Sequence, residues 1–177
     1  MYETKSTHTA LALETIFKVV NKHDLTEIKS RKIPDELAVN QSCFVSIHLK
    51  DGSLRGCIGT IYPQEVNLYL EIISNAVSAA TRDTRFKPVK PSELEQIKIS
   101  VDVLSQPQLI NNTDELNPKH FGVIVSDGGA SRGVLLPDID GIDTIEKQLS
   151  IAKRKAGLSN TKSNLLKIYS FTSTRYY

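Results

Sequence analysis

Apolar residues recur at helical spacing over residues 9–20, where Ala10, Leu13, Phe17 and Val20 form one stripe and Glu14 and Lys18 lie outside it. This predicts an amphipathic helix capped by Thr7 or Thr9. Residues 21–41 are polar and contain Pro34, which reads as a long loop with a single helical turn. Residues 43–49 and 54–61 then read as strands around Asp51-Gly52. An Asp-Gly pair is a strong hairpin signal, because a type I′ turn needs positive φ at both central positions. A broad apolar face runs through Val66, Leu70, Ile73, Ala76, Val77 and Ala80, predicting a buried helix that opens near Pro63. Ile97, Ile99, Val101 and Val103 alternate with Lys98, Ser100 and Asp102, the pattern of a strand buried on one face. Further strands are expected at 121–126, 132–136 and 165–172. A helix from Asp143 or Thr144 should end in Lys153-Arg154-Lys155 before Gly157.

Tightly turned strands interspersed with helices predict an α+β, or mixed α/β, fold: a mainly antiparallel sheet flanked by helices. No break in composition divides the chain, so residues 1–177 read as a single domain, with room for a smaller second lobe around 105–141. The 177 residues suffice to bury about 70% of the unfolded surface. Charged residues make up 24% and the formal net charge is +2, which argues against disorder and against a strongly basic nucleic-acid protein. No apolar run reaches about 18 residues, and the first eight residues lack the apolar region of a secretory signal. Two cysteines make no disulfide framework, and a reducing, cytoplasmic setting is expected.

Chemistry concentrates after the turn Lys50-Asp51-Gly52-Ser53, in Leu54-Arg55-Gly56-Cys57-Ile58-Gly59-Thr60. Glycine in a strand interior usually marks a bulge or a close approach, and a neighbouring guanidinium favours a thiolate. With a two-residue loop, His48 pairs with Arg55, Ile47 with Gly56, and Ser46 with Cys57. Phe44, Ser46, His48, Arg55, Cys57 and Gly59 then share the face opposite the core. His48 becomes a diagonal neighbour of Cys57 at roughly 7–8 Å, the placement of a base beside a thiol nucleophile. Arg55 is placed to hold the thiolate or an anionic ligand. The competing readings are plain. A free cysteine packs as a small hydrophobe, His48 serves as an ordinary histidine, and Gly56 and Gly59 admit a bulky neighbour. A one-residue slip in the turn would move the whole set to the other face.

Asp83 and Arg85, after the second helix, form a local ion pair or close one side of a cleft. Residues 126–133, Ser-Asp-Gly-Gly-Ala-Ser-Arg-Gly, read as a hairpin turn with some likeness to an anion-holding loop, but without a P-loop ending. His8, His23 and His120 show no metal-ligand spacing, so no metal is expected, and no cofactor motif is present. No aromatic and basic stripe suggests nucleic acid.

The heptapeptide Leu54-Arg55-Gly56-Cys57-Ile58-Gly59-Thr60 resembles the hallmark of the AMMECR-type domain family, known in prokaryotes as protein A of the AmmeMemoRadiSam system. The resemblance runs from about Thr9 to Arg175. It continues in Arg82-Asp83-Thr84-Arg85-Phe86 with Pro88, in Ile99-Ser100-Val101-Asp102-Val103-Leu104-Ser105 with Pro107, in Arg132-Gly133-Val134-Leu135-Leu136-Pro137 and in Lys155-Ala156-Gly157-Leu158. It implies an antiparallel sheet with helices, a smaller lobe and a cleft near the Arg55–Cys57 strand. It also implies partners similar to a Memo-like protein and a radical-SAM protein. The turn at 126–131 departs from relatives that carry basic residues there, which weakens an anion role for it. The resemblance names no substrate. An accessory or substrate-handling component with a cleft around Arg55, Cys57, Asp83 and Arg85 is the first expectation. A thiol-dependent enzyme using Cys57, with His48 as base, is the second, and a binding or scaffold module without chemistry is the third.

Overall fold

Ser6 opens the first helix, its hydroxyl accepting from the Thr9 N–H at 3.2 Å. The helix, α1, runs Thr7–Val20. Its buried residues are His8, Thr9, Leu11, Ala12, Thr15 and Ile16; of the expected stripe, Leu13 and Val20 pack partly buried against the core, while Ala10 is exposed and Phe17 is 45% exposed. The helix carries apolar residues on two sides. Polar residues nonetheless hold the inner one: Thr15 returns its hydroxyl proton to the Leu11 carbonyl, and His8 stacks on Tyr176 with ring centroids 3.7 Å apart. The computed structural model describes residues 5–177, and among these no helix is long and apolar enough to cross a membrane.

The chain divides into two units, Met1–Val103 with Thr174–Tyr177, and Leu104–Ser173. In the first, a short helix, α2 (Thr26–Lys29), and a 3-10 turn at Asp35–Leu37 bring Ile28 and Leu37 fully into the core. Strands β1 (Cys43–Leu49) and β2 (Leu54–Gly59) form the hairpin. Helix α3 (Leu68–Thr81) lies against both strands and against α1. It starts later than the Pro63 opening because Asn67, not the proline, caps it, accepting from the Leu70 N–H. Val66 is therefore outside the helix and 75% exposed. Strand β3 (Ile97–Leu104) pairs with β1, and the first sheet has the order β2-β1-β3-β8, where β8 is Ser173–Tyr176. Cys43, Val45, Ile47, Val101, Ile72, Ala76 and Ile16 fill its core.

The second unit extends to Ser173, past the expected limit near 141. Its sheet needs the late strand β7 (Lys167–Phe171), which pairs with both β4 (Gln108–Ile110) and β5 (Gly122–Ser126). With β6 (Arg132–Leu135) the order is β4-β7-β5-β6. The loop between β5 and β6 is a hairpin turn, with the Gly128 N–H on the Ser126 hydroxyl and the Gly129 N–H on Asp127. Helix α4 (Ile145–Lys155) is capped by Thr144 and lies against β5 and β6. The fold is α+β, with two antiparallel sheets and helices.

The closest backbone approach in the second unit is at Gly133. A Cβ there would overlap the Ala152 carbonyl of α4, backbone that cannot rotate away. Gly133→Ala should therefore lower stability by about 2–3 kcal/mol through forced separation of α4 and β6. The check is urea unfolding of the purified variant against wild type.

Candidate functional site

The hairpin is built differently from a two-residue turn, yet it arrives at the same pairing. The Leu49 N–H donates to Ser53 O and the Gly52 N–H to Leu49 O, while Gly52 has φ +88°. These bonds enclose a three-residue loop, 50–52, of the kind that ends in a left-handed glycine. His48 consequently pairs with Leu54 and not with Arg55. Arg55 is then the extra residue of a β-bulge, after which Ile47 meets Gly56 and Ser46 meets Cys57. The longer turn and the bulge offset each other.

The bulge aims Arg55 away from the sulfur. Its Nε and Nη2 hold the two oxygens of Glu93 at 2.7 and 3.0 Å, and Nη2 also reaches Pro88 O at 3.4 Å. Glu93 lies in the 3-10 turn Pro91–Gln96 and also accepts from the Lys90 N–H, so the pair fastens the hairpin to the chain that enters β3. The Arg55 guanidinium is the main reason the Glu93 carboxyl titrates below the usual range.

Strand β2 is an edge of its sheet, and its exposed backbone at Cys57 is closed by side chains. Asp83 Oδ2 accepts from the Cys57 N–H at 2.8 Å, and Arg85 Nη2 donates to Cys57 O at 3.1 Å. Asp83 in turn holds Arg85 through both oxygens, at 2.9 and 2.7 Å, and caps the Arg85 N–H. The carboxylate and guanidinium thus occupy the donor and acceptor that a neighbouring strand would use. Arg85 holds the buried Asp83 carboxyl far below the usual carboxylate range, against the opposing effect of burial. Both Arg55 and Arg85 also lie over the Phe86 ring, with guanidinium carbons 5.9 and 5.5 Å from its centroid.

The Cys57 side chain sits on the opposite face from the core, next to Ser46, whose Oγ donates to Sγ at 3.2 Å. Burial pushes the thiol above its ordinary pKa. The Ser46 hydroxyl and Arg85 pull the other way without overcoming burial, and Asp102 and Asp83 add to the rise. The cation acting on the sulfur is therefore Arg85; the adjacent Arg55 is committed to Glu93. His48 turns to its own loop, with Nδ1 3.3 Å from Gly52 O. Gly56 is required by packing, since a Cβ would lie 2.5 Å from the Ala79 carbonyl of α3. At Gly59 a Cβ would overlap the Phe44 ring. Cys43 is sealed in the core and its thiol is pushed up to about 12 by burial.

The structure thus gathers Arg55, Gly56, Cys57, Asp83 and Arg85, with Phe86 and Glu93 as members the sequence did not suggest. Glu93 is 38 residues from Arg55, too far along the chain for any local pattern to link them. A second unsuspected group is Glu71 in α3. It is 1% exposed and accepts from Thr60 Oγ1, the Gln64 and Glu65 N–H groups and Asn75 Nδ2, which pins the chain leaving β2. A charged residue among Leu68, Ile72 and Ala76 was its visible signal. Asp102 and Ser100 share the Ser46 face through β3 pairing, and Asp102 is held by Arg175 at 2.8 and 3.2 Å. Among the described residues no three His, Cys, Asp or Glu side chains gather to hold a metal.

Two outcomes follow for this site. Asp83→Asn keeps the shape but removes the charge held by Arg85, and should cost about 2–3 kcal/mol at neutral pH. The folded-state pKa of Asp83 is depressed, so its contribution is complete above the unfolded value near 3.9 and fades as pH falls below it. The stability gap between wild type and Asp83→Asn should accordingly narrow on acidification below about pH 4, measured by urea midpoints. The Cys57 thiol should alkylate with iodoacetamide more slowly than a free cysteine at neutral pH, with a rate that climbs at alkaline pH. Ser46→Ala, which removes a hydrogen bond favouring the thiolate, should slow it further.

Residues 9–176 match the AMMECR1 family model. A Thermotoga maritima protein is 52% identical over 145 residues, covering 81% of this chain and 82% of that one. A Clostridium acetobutylicum protein is 39% identical over 159 residues; 89% of this chain matches, but only 33% of that longer polypeptide. The crystal structure of an uncharacterised protein from Pyrococcus horikoshii superposes with a TM-score of 0.85 at 27% identity, over 98% of this chain and 92% of that one. On these matches the chain belongs to the AMMECR1 family.

Proposed function

We propose that the protein is an accessory component that handles or presents a substrate for partners similar to Memo-like and radical-SAM proteins, acting in the cytoplasm. The observation that carries this reading is the treatment of Cys57. Its backbone is saturated by Asp83 and Arg85, and its sulfur is held as a thiol by burial with Ser46 as donor. Such an arrangement suits a rigid wall for binding better than a nucleophile, which is activated by a lowered pKa or an adjacent base. Arg85, with 55% of its side chain exposed, offers the ligand-facing charge of the cleft, and Gly56 lets α3 seat directly behind the strand. The Clostridium relative supports a partnered role, since there the similar region occupies a third of a longer chain.

One observation favours a second reading, a thiol-dependent enzyme with Cys57 as nucleophile and Arg85 as its cation, in which His48 would have to leave the Gly52 carbonyl to act as base: Cys57 is half-buried, not sealed, and has a hydroxyl on its sulfur. The two readings separate by experiment. Under the accessory reading, affinity-tagged protein retains both partners under reducing, anaerobic conditions, and Cys57→Ala retains them equally. Loss of both associations in wild type overturns the accessory reading.

A further inference from the structure

The segment that closes the Cys57 edge also carries a concentration of cations, of which Asp83 pairs only Arg85. Arg82, Arg85, Lys87 and Lys90 fall within residues 82–90, and all four are exposed. Elsewhere in the first unit Lys18 and Arg31 pair with Glu27 and Glu14, Arg55 with Glu93, and Arg175 with Asp102, while Lys22, Lys29, Lys32, Lys50 and Lys98 make no ion pair among the described residues. Arg82, Lys87 and Lys90 make no ion pair among the described residues. Asp83 and Glu93, within and just after the segment, are paired with Arg85 and Arg55, with Lys90 also acting on Glu93, and Glu95 is the exposed carboxylate that follows in the chain. These nine residues, four cations and Asp83, carry a net +3 in a chain whose formal net charge is +2. Helix dipole complementarity accounts for Arg82 alone, since it caps the C-terminus of α3.

The backbone beneath these cations is fastened throughout. The Arg82 N–H donates to Ser78 O, Phe86 to Asp83 O, and Val89 to Ala80 O, while Arg55 reaches Pro88 O and the Lys90 N–H reaches Glu93. Fixed anchor points lower the ordering cost of binding and let several charges act together. We propose that residues 82–90 form a docking surface for an acidic segment of a partner protein, one rich in carboxylates. Residues 82–90 carry four cations against the single carboxylate of Asp83, a net +3 that a run of several carboxylates matches better than a single phosphate. Nucleic acid is disfavoured because the segment holds a single aromatic ring, Phe86, already engaged by the Arg55 and Arg85 guanidiniums, and no row of rings on which bases would stack. Electrostatic complementarity of this kind sets partner choice and encounter rate.

This inference deepens the accessory reading and rests on it for the existence of a protein partner. Its test uses the full chain and fluorescence anisotropy with a labelled peptide of alternating glutamate and serine. Wild type should bind it, and binding should weaken steeply between about 50 and about 200 mM salt. Arg82→Gln/Lys87→Gln/Lys90→Gln should weaken it by about tenfold or more. The equally charged control Lys5→Gln/Lys29→Gln/Lys32→Gln, drawn from exposed lysines elsewhere, should bind as wild type does. Both variants should melt as wild type. Absence of binding at low salt, an equal loss in the control, or tighter binding of an oligonucleotide of the same charge overturns the proposal. A protein that retains both partners yet ignores the peptide overturns this inference alone. One that binds the peptide here but retains neither partner overturns the accessory reading alone.

Discussion

The Asp83 carboxylate is the interaction on which the surroundings of Cys57 depend. It accepts the Cys57 N–H, holds Arg85 with both oxygens, and through Arg85 reaches the Cys57 carbonyl. One side chain therefore satisfies a strand edge, orients a cation and fixes the start of the 82–90 segment. A buried carboxylate with these bonds loses little by leaving water, because donors replace its hydration on every side. Without the charge, Arg85 would lose its anchor and the β2 edge would regain an unpaired donor and acceptor. Such an edge invites strand addition by other chains. The arrangement is local in sequence at one end only: Asp83 and Arg85 are neighbours, while Cys57 is 26 residues away.

This locality explains how much could be read in advance. The strands β1 and β3 and the helix start at Thr144 follow from period and capping chemistry, which act within a few residues. The pairing of Ser46 with Cys57 was legible for a less secure reason. A loop one residue longer than the Asp-Gly signal implies was offset by a bulge at Arg55, and alternation alone reveals neither. Helix α1 misled in part because it has apolar residues on two sides, and its inward side carries Thr15, which satisfies its hydroxyl on the Leu11 carbonyl of its own helix, and His8, which stacks on Tyr176. Helix α3 began later because Asn67 and Glu71 outcompete Pro63, and Glu71 gathers donors from three separate positions of the preceding loop.

The two arginines of the site show why residue type is weaker evidence than geometry. Arg55, beside the cysteine in sequence, is bound to Glu93 and braces the hairpin. Arg85, 28 residues away, supplies the charge that the sulfur feels. A strand pointing its side chains to alternate faces would have put Arg55 next to Cys57; the bulge breaks the alternation at that residue. Both guanidiniums then meet over Phe86, so the ring joins the hairpin brace to the edge clamp without either cation leaving its carboxylate.

The glycines that frame Cys57 complete the argument about what the motif is for. Gly56 has no room for a Cβ because the Ala79 carbonyl of α3 occupies it, and Gly59 has none because Phe44 does. Both requirements are steric and backbone-level, and they hold β2 between α3 and β1. Arg55, Asp83 and Arg85 meet requirements of the same kind, on a bulge and an edge. Read residue by residue, nearly the whole heptapeptide is committed to holding one short strand immobile. The Cys57 side chain, half-buried beside Ser46, is the member left over from that construction. A strand fixed this firmly holds Cys57 and Ser46 in one geometry, beside a segment of exposed cations of which Arg85 alone is paired within the segment.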